Sequence, residues 1–321
     1  MHVLLRLLED GEFHSGEALG RALGVSRAAV WKQLQQLESE LGIELHKVRG
    51  KGYRLPPGIE LLNRSDVDRG LAALGWSGHV YEYLDSTNLQ AVRLLEQKLI
   101  APFVVLSEQQ TSGRGRRGRV WQSPFAQNLY FTLAVPITGG MRQVEALSLT
   151  VGLAVARSLQ AQGLTGVGLK WPNDILLNGQ KLAGILLELV GDPADLCHVI
   201  IGVGINVNMQ LSAAGAIDQP WTSLREALGR WVGRTELSLS LAQTLKHYIE
   251  LHWVSGFEGL RVEWEALHVW QGLSACLISG AQIIEGKVLG VASDGALRML
   301  VDGAERSFSG GELSLRLKHD S

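Results

Sequence analysis

Two apolar runs joined by an Asn-Gly pair place the strongest constraint on how this chain can fold. Residues 175–177 and 181–190 have the composition of strands, and Asn178-Gly179 lies between them. This dipeptide favours a two-residue β-hairpin turn, which joins antiparallel strands. Because helix-like stretches lie beside the hairpin, the sequence predicts an α+β fold with a mixed or antiparallel sheet rather than a doubly wound parallel sheet.

The composition supports a large folded core and excludes some classes of protein. Of the 321 residues, 46% are hydrophobic and 19% are charged, which excludes disorder as the main state. Lys and Arg number 30 against 32 Asp and Glu, so the net charge is −2. This balance excludes a wholly basic coat for nucleic acid but leaves room for a local basic patch. Glycine is more frequent than average, which favours tight turns and backbone close to ligands.

Cysteine content and the amino-terminal segment bear on the cellular compartment. Cys197 and Cys276 are too few for a disulfide framework and lack the spacing of metal ligands. The apolar amino-terminal stretch is interrupted by Arg6, Glu9 and Asp10, so it lacks the apolar region of a signal peptide. No apolar run reaches the roughly 18 residues that a membrane span needs. We therefore expect a cytoplasmic protein with no membrane partner and no metal site.

The pattern of elements divides the chain into three expected domains, residues 1–60, 65–270 and 271–321. The second alternates strands and helices, with a strand over residues 80–84 and a long helix over residues 141–162. The third has short strands separated by Asp-Gly turns, which predicts a small β-barrel or sandwich.

The amino-terminal part is predicted to contain helices followed by a hairpin. Ser15 and Ser26 are the expected N-caps of two helices, which Gly24 and Gly42 end. Two short strands follow the second helix, and a Pro-Pro-Gly linker over residues 56–58 closes the unit.

The most distinctive motif is an arginine-rich loop over residues 113–119, Gly-Arg-Gly-Arg-Arg-Gly-Arg. It matches the dinucleotide spacing G-x-G-x-x-G, but a Rossmann turn opens a helix, and Ser123-Pro124 interrupts any helix here. An anion-binding loop explains it better, because glycines expose backbone N–H groups and arginines bind phosphate or carboxylate. The alternative is a solvated basic loop. Trp121 counts against that alternative because it can anchor the loop on an apolar surface.

Two lysines near strand ends are further candidates. Lys170 precedes a Trp-Pro-Asn-Asp turn, in which Asn173 can bond to an amide or purine edge. Lys181 begins an otherwise apolar strand and needs an anionic partner if it points inward. Each has a purely structural alternative, since Pro-Asn-Asp is good turn chemistry and a lysine also suits the wet end of a strand.

Glycines near the end of a later strand form the fourth candidate. Gly202 and Gly204 allow a flat ligand to approach closely, and Asn206 can hydrogen-bond to it; a β-bulge is the alternative. The chain lacks a Walker lysine loop, a G-x-S-x-G elbow and an H-E-x-x-H motif, and no nucleophile is evident. The four motifs suit a reaction in which a carboxylate attacks the α-phosphate of ATP, because such a reaction mainly needs positioning and charge neutralisation.

These motifs, in this order, resemble those of biotin–protein ligases. The matching segments are residues 113–121, 170–174, 181–188, 202–206 and the closing Gly-Gly-Glu-Leu-Ser-Leu-Arg at 310–316. The amino-terminal unit resembles the winged helix-turn-helix of the bifunctional members, which also repress the biotin operon. The resemblance covers nearly the whole chain. It implies a winged helix-turn-helix, a mixed-sheet catalytic domain similar to class II aminoacyl-tRNA synthetases, and an SH3-like β-barrel.

The resemblance also implies a two-step reaction. Biotin and ATP, the latter with Mg²⁺, give biotinyl-5′-AMP and pyrophosphate. The adenylate then acylates a lysine of the biotin carboxyl carrier protein of acetyl-CoA carboxylase. Repression implies operator DNA as a second partner and a homodimer once the adenylate is bound. The sequence shows no dedicated carboxylate cage for Mg²⁺.

The family pattern carries over to particular residues. Those implied for the biotin head are Ser86, Thr87, Asn88 and Gln110. Those implied for the loop over the biotin carboxylate and the phosphates are Arg114, Gly115 and Arg116. Those implied for the nucleotide side or for close contact with the ligand are Lys170, Asn173, Gly184, Gly204 and Asn206.

Four further roles follow from the same resemblance. Arg116 is the residue expected to matter most for adenylation. Lys181 faces the biotin carboxyl or acyl-phosphate oxygens, and Asp174 orients the incoming lysine or the loop. Trp221 covers the adenylate. The expected catalytic set is Arg116, Lys181, Lys170 and Asp174.

Side chains expected to contact DNA lie on the second predicted helix and in the hairpin turn. They are Ser26, Arg27, Trp31, Lys32, Gln35, Arg49 and Lys51. Residues 26–54 contain six basic and three acidic side chains, a modest excess of +3. Arg, Lys and Gln can grip or read DNA, and the alternative is a solvated helix face. Trp31 is large for a base-reading position and could instead pack on the sugar-phosphate backbone or on another domain.

Four interpretations remain open at this stage. The chain is a ligase that also represses transcription, a ligase whose amino-terminal domain does not bind DNA, or a ligand-sensing repressor without catalysis. Arg116, Lys170 and Lys181 count against the last of these. Lipoate ligation is a related alternative, and the arginine-rich loop favours biotin.

Overall fold

The computed structural model describes residues 2–56, 59–191, 197–210, 217, 219–279, 282–310 and 313–317. Three sequence features lie outside these residues: Pro57-Gly58 of the expected linker, Leu196 at the expected start of a strand, and Gly311-Glu312 of the closing motif. None of the helices in the described part of the chain is long and apolar enough to cross a membrane.

The amino-terminal unit is a winged helix-turn-helix. Its elements are α1 (His2–Leu7), α2 (Gly16–Leu23), α3 (Arg27–Leu41), β1 (His46–Val48) and β2 (Gly52–Arg54). The Ser15 and Ser26 hydroxyls accept hydrogen bonds from backbone N–H groups of the first turns of α2 and α3. Gly24 and Gly42 end these helices in the left-handed conformation. The predicted caps are therefore confirmed, whereas α1 was not predicted as a separate helix.

The central unit is built on a seven-stranded mixed sheet. Its strands are β3 (Ser77–Tyr81), β4 (Phe103–Ser107), β5 (Leu129–Ile137), β6 (Val167–Lys170), β7 (Asp174–Leu177), β8 (Gln180–Gly191) and β9 (Cys197–Ile205). Their spatial order is β3-β4-β5-β9-β8-β7-β6. Among the described strands, β3 and β4 pair in parallel and the other neighbours pair antiparallel. The predicted α+β class with a mixed sheet is confirmed.

Helices cover the sheet and complete the central unit. They are α4 (Arg64–Ala72), α5 (Thr87–Glu96), α6 (Leu147–Ala161), α7 (Leu224–Leu228), α8 (Arg234–Ser255) and α9 (Glu258–Leu267). The helix α6 lies against both α8 and α9. Eleven of its 15 residues are buried, and most of these are apolar.

The structure confirms one predicted local feature and corrects two. Asn178 and Gly179 have φ values of 48° and 82°, as a type I′ hairpin turn requires. The long helix predicted over residues 141–162 is wrong at its start, because residues 141–144 form a 3₁₀ turn and Ala146 has a φ of 56° before α6 begins. The strand predicted over residues 80–84 instead spans Ser77–Tyr81.

Five antiparallel strands form the carboxy-terminal unit. They are β10 (Ser274–Ser279), β11 (Gln282–Val291), β12 (Leu297–Val301), β13 (Ala304–Phe308) and β14 (Leu313–Leu317), in the order β13-β12-β11-β10-β14. The unit is tied to the central one by hydrogen bonds: Trp171 Nε1 donates to the Gly295 carbonyl at 3.0 Å, and the Val291 N–H donates to Glu265 Oε1 at 2.9 Å. A Cβ on Gly310, just before β14, would lie 3.8 Å from Trp171 Cζ2, so the start of β14 is near the end of β6.

The apolar core of the amino-terminal unit includes side chains from outside that unit. Phe125 and Ala126, which follow the arginine-rich loop, are buried in the same cluster as Leu8 and Leu41. Phe125 is 1% exposed. The segment after the loop therefore forms part of the packing of the winged helix-turn-helix.

Candidate active site

One cavity of about 760 Å³ lies above β8 and β9, between the arginine-rich loop, the β6–β7 turn and β14. Every residue that the sequence singled out for catalysis or cofactor binding lines this cavity. They are Ser86, Thr87, Asn88, Gln110, Arg114, Gly115, Arg116, Lys170, Asn173, Asp174, Lys181, Gly184, Gly204, Asn206 and Trp221. The fold thus brings together side chains that are up to 135 positions apart in the chain (residues 86 and 221 are the outermost).

The start of α5 forms a polar end of the cavity. The Thr87 N–H and hydroxyl both donate to Gln110 Oε1, at 2.9 and 3.1 Å. The Gln110 Nε2 group donates to Ser123 Oγ at 3.1 Å, and that hydroxyl donates to the Trp121 carbonyl. Ser86, the N-cap residue of α5, makes no capping hydrogen bond with its side chain. Its hydroxyl is therefore available to a ligand, whereas Thr87 and Gln110 hold each other in place.

Asn88 is buried and bonded on both sides of its amide. Its Oδ1 accepts from Thr132 Oγ1 at 2.7 Å, and its Nδ2 donates to Glu188 Oε2 at 2.8 Å. Gly202 provides the space, since a Cβ there would lie 2.3 Å from Asn88 Oδ1. These bonds favour a positioning role for Asn88. From the sequence, Asn88 had been expected to contact the biotin head directly.

The arginine-rich loop is a closed turn rather than an extended arm. The Trp121 N–H donates to the Gly113 carbonyl at 2.9 Å, and the Gly115 N–H donates to the Arg119 carbonyl at 2.8 Å. Gly113 has no room for a side chain, because a Cβ would lie 2.4 Å from the Trp121 carbonyl oxygen. Arg117 has a φ of 59° at the tip. The glycines here shape the turn itself. From the sequence, they had been interpreted as exposing backbone N–H groups to a ligand.

Arg116 reaches from the loop across the cavity. Its Nη1 donates to Asn173 Oδ1 at 2.8 Å, and its Nη2 donates to the Gly310 carbonyl at 2.9 Å. Burial is the main cause that lowers the pKa of Arg116; Asp174 opposes this effect, and the neighbouring arginines add to it. A guanidinium stays charged near neutral pH, so Arg116 brings a desolvated positive charge to the site.

Two ammonium groups lie deeper in the cavity. Lys181 Nζ is 2.8 Å from Asp174 Oδ1, and both side chains are less than one-fifth exposed. The anionic partner expected for Lys181 is thus Asp174 in this structure. Lys170 Nζ lies 4.7 Å from the centroid of the Trp270 ring. Burial is the main cause that lowers the pKa of Lys170; Asp174 opposes it, while Lys181 and Arg316 add to it. An anionic ligand would relieve this crowding of positive charge.

Gly184 and Gly204 lie opposite each other on β8 and β9. The sequence interpreted Gly204 as making room for a flat ligand, but the flat group above both glycines is the indole of Trp121. A Cβ on Gly204 would lie 2.5 Å from Trp121 Cε2, and a Cβ on Gly184 would lie 3.1 Å from Trp121 Cζ3. Trp121 Nε1 is buried and has no hydrogen-bond partner among the described residues. Trp121 therefore forms part of the cavity wall.

Asn206 acts on the segment that carries Trp221. Its Nδ2 donates to the Thr222 carbonyl at 3.1 Å. Trp221 forms an isolated parallel bridge with Lys181 and is 7% exposed. The Asn206 amide, which the sequence assigned to the nucleotide, thus holds the Trp221 segment against the start of β8.

Sequence reasoning assigned no role to four side chains that shape this site. They are Ser123, Thr132, Glu188 and Trp270. Thr132 and Glu188 carried a signal, because each is a polar residue within a strongly apolar strand pattern. Trp270 lies beyond the recognised motifs and carried none.

The expected DNA-contacting residues lie at the surface of the winged helix-turn-helix, on α3 with its N-cap and in the turn between β1 and β2. Ser26, Arg27, Trp31, Lys32, Gln35, Arg49 and Lys51 are all exposed. The opposite face of α3 is buried in the core of the unit. Trp31 is 52% exposed, so about half of its surface is open to solvent. Beside this surface, Arg54 lies over the Phe13 ring at 4.6 Å.

The structure joins a winged helix-turn-helix to a polar, cationic cavity on a mixed sheet. This combination defines a class of protein: an enzyme that activates its ligand and carries a DNA-binding domain. Residues 80–206 match the Biotin/lipoate A/B protein ligase family, and residues 1–54 match an HTH domain. The chain is 39% identical over 98% of its length to the Bifunctional ligase/repressor BirA of Escherichia coli strain K12, of which it covers 96%. It is 32% identical to the protein of the same name from Bacillus subtilis strain 168, over 89% of each.

A solved structure gives the same result. The biotin protein ligase from Aquifex aeolicus in complex with biotin and ATP superimposes with a TM-score of 0.66 and 28% identity, over 75% of this chain and 99% of that one. The chain belongs to the biotin protein ligase family, in the group of bifunctional ligase/repressors. The resemblance drawn from the motifs, and the fold class that it implied, are confirmed.

Proposed function

We propose that this protein is an ATP-dependent biotin–protein ligase that also represses transcription in response to biotin. It forms biotinyl-5′-AMP and transfers biotin to a lysine of the biotin carboxyl carrier protein of acetyl-CoA carboxylase. One observation carries the proposal: a single cavity combines a polar end at Ser86 and Gln110 with the cationic groups of Arg116, Lys170 and Lys181.

The polar end of the cavity suits the head of biotin. Biotin has a neutral ureido group on an apolar bicycle, which calls for a dry slot with a few well-placed hydroxyl and amide groups. The Ser86 hydroxyl would bond to the ureido group, while Thr87 and Gln110 hold the start of α5 in place. The indole of Trp121 would provide apolar contact along the ligand.

The cationic groups suit the first step of the reaction. A carboxylate oxygen of biotin attacks the α-phosphorus of ATP, the bond to the β-phosphate oxygen breaks, and pyrophosphate leaves. Arg116, Lys170 and Lys181 would neutralise the charge on the phosphates and on the carboxylate. Among the described residues no group of three or more His, Cys, Asp or Glu side chains could hold a metal ion. We propose that Mg²⁺ enters as part of the MgATP substrate.

The second step moves the acyl group to the carrier. The deprotonated amine of the carrier lysine attacks the biotinyl carbonyl, the bond to the AMP oxygen breaks, and AMP leaves. Asp174, which lies 2.8 Å from Lys181 in this structure, would orient the incoming lysine through its ammonium group, which loses a proton before the amine attacks. The arginine-rich loop and Trp221 would keep water from the adenylate, which as a mixed anhydride hydrolyses readily.

The amino-terminal unit would bind operator DNA through α3 and the hairpin turn. A two-fold operator calls for a two-fold protein, so we propose that the adenylate-bound form is a homodimer. Phosphate contacts from Arg27, Lys32, Arg49 and Lys51 would make binding depend steeply on salt. We place the protein in the cytoplasm, where ATP, carrier protein and DNA are all available.

Two assays test the two activities separately. Incubation with biotin, MgATP and a carrier domain, followed by a streptavidin blot, should label the carrier. No labelling would leave a ligand-sensing repressor, and labelling with lipoate but not biotin would point to lipoate ligation. A gel-shift assay with the protein's own biotin operator should show a complex that strengthens with biotin and ATP. No shift at low salt would leave a ligase without DNA binding.

A further inference from the structure

A carboxylate on β8 connects the arginine-rich loop to the polar end of the cavity. Glu188 Oε1 is 2.9 Å from Arg114 Nη1, and Glu188 Oε2 accepts from Asn88 Nδ2 at 2.8 Å. Arg114 lies near the start of the loop, and Asn88 lies in the first turn of α5. Glu188 therefore bridges two elements that must both be in place around a bound ligand.

Buried groups fix the Asn88 end of the bridge that Glu188 forms. Asn88 is 4% exposed, and its Oδ1 is fixed by the hydroxyl of Thr132, which is 0% exposed. The amide presents its Nδ2 to Glu188, because a carboxylate can only accept a hydrogen bond. An exposed ion pair usually contributes little, because two long side chains must both be ordered. Here one carboxylate oxygen is already fixed by a buried partner, so less order is lost when Arg114 binds the other.

The loop has a second attachment at its far end. Ser123 Oγ accepts from Gln110 Nε2 at 3.1 Å and donates to the Trp121 carbonyl. Both attachments lead to the same turn of α5, through Asn88 at one end of the loop and through Thr87 at the other. The far attachment is made by neutral groups, whereas the Arg114–Glu188 contact is charge-assisted and hence the stronger type of bond.

We propose that Glu188 is a positioning residue that holds the arginine-rich loop closed over the ligand through Arg114 and Asn88. This inference rests on the proposed ligase function. Glu188 does not touch the reacting atoms. Its carboxylate sets how long the loop stays over the adenylate and, through Asn88, couples loop closure to the end of the cavity that would hold the biotin head.

The test is the release of biotinyl-5′-AMP from the full-length protein. The protein is loaded with labelled biotin and MgATP, and release is followed after a chase with unlabelled biotin. Glu188→Gln keeps the size of the side chain but offers one acceptor oxygen instead of two, so Arg114 and Asn88 cannot both be bonded as before. We expect release about tenfold faster, equivalent to about 1.4 kcal/mol. We also expect a larger change in release and in the KM for biotin than in the kcat of adenylation.

A double-mutant cycle identifies the partner. Arg114→Gln should speed release at least as much as Glu188→Gln, because Arg114 also lines the cavity, and the double variant should release no faster than Arg114→Gln alone, because both substitutions remove the same contact. Arg114→Lys keeps the positive charge, so it should retain the adenylate longer than Arg114→Gln does. The matched control is Glu263→Gln, since Glu263 forms an ion pair of similar exposure with Arg157 away from the cavity. This control should release the adenylate at the wild-type rate.

The outcomes separate the two proposals. Wild-type protein that forms no labelled adenylate would contradict the ligase function and the role of Glu188 together. If the wild type retains the adenylate and Glu188→Gln releases it at the same rate, the role of Glu188 alone is overturned. Fully additive effects of the two substitutions in the cycle would overturn it as well. If Glu188→Gln does not fold, Arg114→Gln carries the same comparison, because Arg114 is on the exposed side of the contact.

Discussion

At the scale of single residues, the site is a set of charges and hydroxyls that hold one another in defined positions. Lys181 is paired with Asp174, Arg116 with Asn173, and the Thr87 hydroxyl with Gln110. Such pairing lowers the cost of organising the site when a ligand arrives, because the side chains are already near their working positions. Substitutions here should affect the chemistry more than the fold.

Lys181→Ala tests the most buried ion pair of the site. Removing the ammonium leaves Asp174 without its partner and the biotin carboxylate without a counter-charge. Loss of one electrostatic contact of this kind typically costs about 10²–10³ in rate, so we expect the rate of biotin-dependent pyrophosphate release to fall at least 100-fold. Lys246→Ala, which removes a half-exposed lysine on α8 that pairs with Glu250, is the control and should keep the wild-type rate. A near-normal rate for Lys181→Ala would show that its role is wrongly assigned.

Gly204→Ala tests the packing of Trp121 on the sheet. The added methyl group would lie 2.5 Å from the indole, so the ring must move and the wall of the cavity changes shape. Overpacking of this kind typically destabilises a fold by about 1–3 kcal/mol, so we expect a lower melting temperature and weaker biotin binding in a titration. Gly184→Ala, where the closest approach is 3.1 Å, should have a smaller effect. Equal binding by both variants and the wild type would contradict the importance of this contact.

At the scale of elements, local rules predicted most of the architecture and tertiary contacts decided the exceptions. The caps at Ser15 and Ser26 and the turn at Asn178 follow from side-chain and backbone preferences that operate within a few residues. The start of α6 does not, because the Gln143 side chain accepts hydrogen bonds from the N–H groups of residues 138 and 139, and Ala146 adopts the left-handed conformation. The apolar composition there suits a helix, which is why sequence reasoning extended it too far.

Phe125→Ala tests the contact between the segment after the loop and the winged helix-turn-helix. The ring is fully buried among leucines of the amino-terminal core, and its removal leaves a cavity there. Such truncations typically cost about 3–5 kcal/mol, so thermal unfolding should show the amino-terminal unit melting earlier. Ile100→Ala is the control, because Ile100 is 85% exposed, and it should change the melting temperature little. An unchanged melt for Phe125→Ala would mean that the two units fold independently.

At the scale of the whole molecule, the motifs predicted which residues meet but not how they meet. The order of the motifs was enough to expect one site, and the cavity gathers all of them. The partners of each side chain depend on strands far apart in the chain: Asn88 meets Thr132 and Glu188 only because β5 and β8 flank β9. No local pattern contains that information, so the pairings had to come from the structure.

The junction between the central and carboxy-terminal units should make stability depend on pH. Burial lowers the pKa of His268 to about 4, although its hydrogen bond to Gln271 opposes this. The unfolded chain therefore binds this proton more readily, and stability should fall as the pH drops from about 6.5 towards 4. The loss from this histidine alone is about 3 kcal/mol at 1.36 kcal/mol per pKa unit. Urea unfolding at several pH values should show this decline, and His268→Phe should flatten it. An equal decline in both proteins would assign the effect to other groups.

The shared packing around Phe125 also bears on how such proteins could change over evolutionary time. A descendant that lost its first sixty residues would keep a phenylalanine and an alanine with no covering partner on an otherwise well-formed enzyme. Exposed apolar groups of this kind promote unwanted association. Gene shortening would therefore succeed only alongside a second change that makes this spot polar or covers it anew.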